Sequence, residues 1–211
     1  MTKIKTIVFD LGGVIFKIDK HQAIDRFKEI GFDQAEQYLD AYEQQGIFGD
    51  VEAGRISAEE FRSLLSEMSN KEFSMEQCLY AWQGYFVSMP RRNLETVMQL
   101  RDEGYRVCLL SNTNPFMMAW ARSNNFDGYG NPLDHYFDAL YLSYEMKVMK
   151  PSREIFEMML EAENASPDTT LFIDDSPSNV AAAASLGIHI LQPENGADWV
   201  EELYGTLETI C

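Results

Sequence analysis

From about residue 90 the chain alternates strand-forming and helix-forming segments, and this alternation restricts the fold more than any other feature. The pattern predicts a helix over 91–103 stopped at Gly104, and strands over 106–110 and 139–142. It continues with a helix starting near Ser152, a strand over 170–173, a helix running to Gly187 and a closing strand over 188–191. Strands joined through helices cannot pair as hairpins, so they lie parallel, with helices on both faces of the sheet. The apolar run Thr6-Ile7-Val8-Phe9 near the N-terminus reads as one more strand of that sheet. The expected class is α/β, with a Rossmann-like parallel sheet as its core.

Between the first strand and residue 90 no strand is evident, and helix caps dominate. Ser57-Ala58-Glu59-Glu60 is a capping box, and Ser74 to Gln77 repeats it. Asp19 and Asp33 read as further N-caps, with Gly31 and Gly46 as the stops of their helices. Residues 17–87 are therefore expected to form a small helical cap domain inserted into the core, which comprises 1–16 and 88–211.

In an open parallel sheet, ligands bind beyond the carboxyl ends of the strands. Here the first strand ends on Asp10, the 106–110 strand on Ser111-Asn112 and the 170–173 strand on Asp174-Asp175, while Lys150-Pro151 follows the 139–142 strand. Any one of these is ordinary turn chemistry. Their recurrence at one edge of a single sheet points to a site.

These residues resemble the haloacid dehalogenase-like superfamily over nearly the whole chain. VFDLGGV looks like its first motif, LLSN the second, KP the third and FIDDSPSN the fourth, in order and spacing. Within the superfamily the combination is most similar to bacterial sugar-phosphate phosphatases of the α-D-glucose-1-phosphate type and to the phosphatase domain of soluble epoxide hydrolases. The resemblance implies a phosphoric monoester hydrolase in which Asp10 is the catalytic nucleophile and Mg2+ is the cofactor, bound by Asp10, Asp175 and the carbonyl of Gly12. It implies that Asp174 and Asn179 support the ion's waters, that Ser111 and Asn112 donate to the phosphate, and that Lys150 balances charge in the transition state. A hard cation with oxygen ligands suits such a set, and covalent capture divides a difficult hydrolysis into two steps. Two rivals remain: a 2-haloacid dehalogenase, which the acidic pair Asp174-Asp175 disfavours, and a catalytically weak phosphometabolite-binding regulator.

The chain departs from the family pattern at Gly12, where a second aspartate ordinarily protonates the leaving oxygen. Such assistance is worth about 10²–10⁴ in rate. The gap is compatible with an already acidic leaving group such as a sugar 1-phosphate. Lys147, near the third motif, is read as a solvated loop lysine. Gly54-Arg55-Ile56 either faces the active site and reads the substrate or forms a surface turn. Phe116-Met117-Met118-Trp120 is read as core packing, and His21, His135 and His189 share no ligand spacing.

Charge and composition narrow the partners. A net charge of -17 over 211 residues argues against nucleic acid, whose binding rests on Lys and Arg. No stretch is apolar for long enough to span a membrane. Cys78, Cys108 and Cys211 lack zinc or disulfide spacing and fit a cytoplasmic location. The expected partner is a small phosphorylated metabolite, with the oligomeric state left open.

Overall fold

A computed structural model describes residues 3–210. The first strand, β1 (Thr6–Phe9), is followed by β2 (Lys17–Ile18) and the helices α1 (Lys20–Ile30), α2 (Gly46–Glu52), α3 (Ala58–Ser69) and α4 (Met75–Trp82). Then come β3 (Phe86–Ser88), α5 (Arg91–Asp102), β4 (Arg106–Ser111), α6 (Pro115–Ala121), β5 (Ala139–Leu142), α7 (Ser143–Met146) and α8 (Arg153–Ala162). The chain closes with β6 (Thr170–Ile173), α9 (Pro177–Ser185), β7 (His189–Leu191) and α10 (Val200–Ile210). Five strands form one parallel sheet in the order β5-β4-β1-β6-β7.

Strand alternation divides the apolar side chains between two layers. Val8, Cys108, Leu110 and Phe172 pack with Ile155, Phe156 and Met159 of α8 and Ala183 of α9. Ile7, Phe9, Val107, Leu109, Leu171 and Ile173 face the other way, toward α5 and α10. That second layer continues without a break into the helical insertion, whose Phe27, Phe48, Phe61 and Trp82 belong to the same cluster. Their rings meet largely edge to face, with centroids 5.0 Å apart for Phe27–Phe48 and for Phe48–Phe61, and Phe61 reaches Phe116 of α6 at 5.4 Å. The Phe116-Met117-Met118 run is thus core packing, as read.

Both capping boxes form, at Ser57 and Ser74, and Asp19 and Gly31 cap α1 at its two ends. Three local expectations fail. Asp33 caps no helix: only a single 3-10 turn at Ala35–Gln37 follows, because Phe32 and Tyr38 swing inward onto Phe48, at 5.6 and 5.7 Å. Gly46 starts a helix instead of ending one; its φ of 55° turns the chain sharply into α2. The insertion is also not purely helical, since β2 and β3 pair antiparallel at its two ends. So short a ribbon has no periodicity to read in sequence. Among the described residues no helix is long and apolar enough to cross a membrane.

Candidate active site

The strand ends converge on one cavity of about 90 Å³, lined from the sheet side by Asp10, Gly12, Ser111, Asn112, Lys150, Asp175 and Asn179. Lys150 organises this floor. Its Nζ is wholly buried and donates to Leu110 O at 2.8 Å, Asp174 Oδ2 at 2.7 Å and Asp10 Oδ1 at 2.9 Å. Burial works against its charge, but Asp10 and Asp174 outweigh that and hold its pKa above the usual value.

Asp10 Oδ1 also accepts from Leu11 N at 2.7 Å, while no hydrogen bond to Oδ2 is found among the described residues. Burial, with Asp174 adding and Lys150 opposing, raises the Asp10 carboxyl to about 6. Asp174 is saturated: Oδ1 accepts from Ser176 N at 2.8 Å and Asn179 Nδ2 at 3.1 Å, and Oδ2 from Asn179 Nδ2 at 3.0 Å besides Lys150. Asp175 is the opposite case. Its Oδ2 is buried without a hydrogen-bond partner, and burial plus the charges of Asp10 and Asp174 raise it to about 7.

Oxygens of Asp10, Asp174 and Asp175 lie within 4.8 Å of one another. One lysine does not neutralise three such carboxylates, and an orphaned buried oxygen among them is the mark of a hard cation site. The donor set therefore fits a divalent ion.

The loop after β1 is held over the floor by Asn93 Nδ2, which donates to Val14 O and Ile15 O, and by Trp199 Nε1, which donates to Val14 O at 2.9 Å. Gly13 has φ of 82°, and a Cβ there would sit 2.3 Å from the Asp175 carboxylate. The second glycine of the motif thus makes room for the carboxylate, whereas a Cβ on Gly12 would meet only Ile18 at 3.1 Å.

Asn112 departs from its expected role. Its Nδ2 donates to Lys150 O and its Oδ1 accepts from Lys150 N, both at 2.8 Å, so the side chain clasps the Lys150 loop. The hydroxyl of buried Ser111 makes a single 3.4 Å contact, to Asn112 O, among the described residues. Lys147 is exposed yet engaged: its Nζ donates to Gly54 O at 2.6 Å and ties the insertion to the core. Arg55 lies outside the cavity lining and pairs with Asp50 at 2.7 Å on the surface, and the loop packs on the core through Gly54. His189, on an edge strand, contacts Asp168 O at 3.2 Å.

The roof supplies residues that sequence reading missed: Tyr42, Gln44, Glu52, Trp82 and Tyr85 from the insertion, and Asn114 beside Ser111. Asn114 had a signal, for Asn-Pro is an N-cap followed by a favoured first residue; its Oδ1 accepts from Phe116 N and Met117 N. Glu52 had none. It is 7% exposed, and burial, eased by the Asn114 amide and reinforced by Asp10, pushes its carboxyl up to about 8. The Tyr42 hydroxyl is raised by burial and by nearby Asp175 and Asp174.

Residues 4–187 match the haloacid dehalogenase-like hydrolase family. The chain belongs to that family. It is 46% identical over 200 residues to the D-ribitol-5-phosphate phosphatase of Bacteroides thetaiotaomicron, covering 95% of this chain and 97% of the relative. The structure of a hydrolase of this family from Porphyromonas gingivalis superposes with a TM-score of 0.93 at 40% identity, covering 98% of each chain. A family enzyme of Bacteroides thetaiotaomicron, crystallised as an aspartate-to-alanine variant with magnesium and inorganic phosphate, gives 0.89 at 39% identity over 95% of this chain and 98% of that one.

Proposed function

We propose that the chain is a magnesium-dependent phosphatase of small phosphorylated polyols and sugars, working through an aspartyl-phosphate. It is a phosphoric monoester hydrolase, and the observation that carries the reading is the trio Asp10, Asp174 and Asp175, which bring carboxylate oxygens within 4.8 Å of one another and in which Asp175 keeps a buried Oδ2 without a hydrogen-bond partner among the described residues. Residues 17–87 act as the cap over a core of 1–16 and 88–211, of which 1, 2 and 211 lie outside the described residues. Asp10, Asp175 and the Gly12 carbonyl would hold the ion, which would supply the positive charge that lets a carboxylate approach a phosphate.

The protein's own groups do the rest. Lys150 and Leu11 N fix the Asp10 carboxylate through Oδ1, which leaves Oδ2, without a hydrogen bond among the described residues, free to meet phosphorus. Lys150 keeps a full positive charge beside the site as negative charge collects on the phosphoryl oxygens. Asp174, with every oxygen engaged by Asn179, Ser176 and Lys150, fixes that geometry. The Ser111 hydroxyl supplies the phosphate contact, and Asn112 steadies the lysine loop.

For the substrate, support comes from the relative named for D-ribitol 5-phosphate and from the roof. Trp82 Nε1 and Asn114 Nδ2 are buried donors without a hydrogen bond of normal length, which suits a ligand rich in hydroxyls. A cytoplasmic location belongs to the same proposal; Cys78 and Cys108 are free and buried, and Cys211 lies outside the described residues.

The test is a panel of phosphorylated metabolites assayed in magnesium and in excess chelator. Phosphate release from D-ribitol 5-phosphate or a related ester should vanish on chelation and return with magnesium. Full activity in chelator would sink the metal assignment, and release from none of the esters would sink the phosphatase. Within the panel, a strong preference for a sugar 1-phosphate over the 5- or 6-phosphate would select the reading in which leaving-group acidity replaces the acid missing at Gly12.

A further inference from the structure

A primary alkoxide is a poor leaving group, and position 12 offers it no proton. Six titratable side chains line the cavity: Asp10, Tyr42, Glu52, Tyr85, Lys150 and Asp175. Asp10 and Asp175 are taken by nucleophilic attack and by the cation. Lys150 donates to three acceptors at once. The Tyr85 hydroxyl is spent on Asp40 O and Gln44 Oε1, at 2.8 and 3.0 Å, and Tyr42 is a phenol made less acidic by its surroundings. One carboxyl remains.

We propose that Glu52, delivered by the end of α2 in the cap, is the catalytic acid and base that replaces the aspartate absent at position 12. The inference rests on the phosphatase reading and deepens it.

The position of Glu52 is fixed by the core. Its carbonyl accepts from the buried Ser143 Oγ at 2.7 Å. Two residues on, a Cβ at Gly54 would lie 2.1 Å from Tyr144 O, so only glycine lets the chain lie so close to α7. Lys147 closes the clamp on Gly54 O. The side chain between these anchors has no Lys or Arg partner among the described residues and faces the Asn114 amide. A carboxyl buried in this way keeps its proton near neutral pH, as a general acid must.

The steps balance as follows. Asp10 Oδ2 forms a bond to phosphorus as the bond from phosphorus to the substrate oxygen breaks, and the Glu52 proton passes to that oxygen, releasing the alcohol. Water then attacks the phosphoryl group of the aspartyl-phosphate and gives its proton to the Glu52 carboxylate. The bond from phosphorus to Asp10 breaks, inorganic phosphate leaves, and both carboxyls regain their starting states.

The experiment compares wild type with Glu52→Gln on D-ribitol 5-phosphate and on p-nitrophenyl phosphate, whose leaving group needs no proton. kcat/KM covers the steps up to transfer onto Asp10, so it isolates the acid role. For the alkyl ester it should fall by ~10²-fold or more, and for the aryl ester by less than ~10-fold. The variant should also show a burst of nitrophenolate, because water activation is impaired. Equal losses on both esters, or an alkyl activity left intact, would overturn the role. If Glu52→Gln does not fold, a series of esters on wild type decides: shallow dependence of kcat/KM on leaving-group acidity supports an acid in the site, and steep dependence overturns it. Wild type releasing phosphate from neither ester refutes the phosphatase reading itself, an outcome distinct from failure of Glu52 alone.

Discussion

The cavity has a floor of strand ends and a roof of inserted helices, and the two hold their polar atoms differently. On the floor, Lys150 and Asp174 have every donor and acceptor engaged, and the unspent oxygens belong to Asp10 and Asp175. On the roof, aromatic rings carry the packing; among the described residues Trp82 Nε1 is buried without a hydrogen-bond partner, and Glu52 lines the cavity with no Lys or Arg partner, facing the amide of Asn114 from the core. Like charges confined within a few ångströms must be neutralised and aimed before chemistry starts, so the floor leaves free only what the reaction consumes. A surface that recognises a variable organic group keeps its donors in reserve. The difference teaches where to look: the reaction type is written in the saturated half, and the substrate in the unsaturated half.

The largest effect that sharpens this contrast is expected at the floor. Asp10→Asn is nearly isosteric, and kcat/KM should drop by ~10⁴-fold or more on alkyl and aryl esters alike, with the circular dichroism spectrum unchanged. Appreciable turnover, with deamidation excluded by mass spectrometry, would remove Asp10 from the nucleophile's place and break the comparison at its base.

A smaller effect is expected from Gly13→Ala. The new Cβ would meet the Asp175 carboxylate at 2.3 Å, and φ of 82° disfavours any side chain, so urea titration should report a loss of ~1–3 kcal/mol. The magnesium concentration for half-maximal activity should rise with it. Wild-type stability and magnesium response together would show that the floor tolerates displacement of Asp175.

The smallest expected effect lies in the roof and concerns pH. Glu52 has its carboxyl raised from the usual range to about 8, so the folded chain holds this proton more tightly than the unfolded chain does. Stability linked to Glu52 is therefore full below the ordinary carboxylate pKa and is lost as pH climbs through about 8. Glu52→Gln cannot ionise. In saturating magnesium, which keeps the floor acids ionised throughout, the Tm advantage of the variant should be ~3 °C or more greater at pH 9 than at pH 5. A constant difference across that range would show that Glu52 is not held protonated.

What the sequence by itself determined about this protein is what short-range chemistry writes into consecutive residues. The strands at Thr6–Phe9, Ala139–Leu142 and Thr170–Ile173 begin and end where apolar runs meet polar tips, and the Ser57 and Ser74 caps form because donor and acceptor sit three residues apart. Parallel strand ends then bring Asp10, Ser111, Lys150 and Asp175 together almost without further information, since the order of strands and helices dictates which ends share an edge. Tertiary structure alone decided the rest. Gly46 opens α2 because aromatic packing around Phe48 redirects the chain, and the Asn112 side chain serves Lys150 because two loops distant in sequence touch. Lys147 reaches Gly54, and Glu52 enters the cavity, through contacts between the insertion and the core. Nothing around Glu52 in the chain marks it: a glutamate ending a short helix is an ordinary surface residue until burial beside the Asn114 amide, with the charge of Asp10 nearby, changes the cost of its own charge. Burial is a property of what packs on a residue from elsewhere in the chain, and for this reason the reaction was legible in four motifs while the proposed proton donor was not.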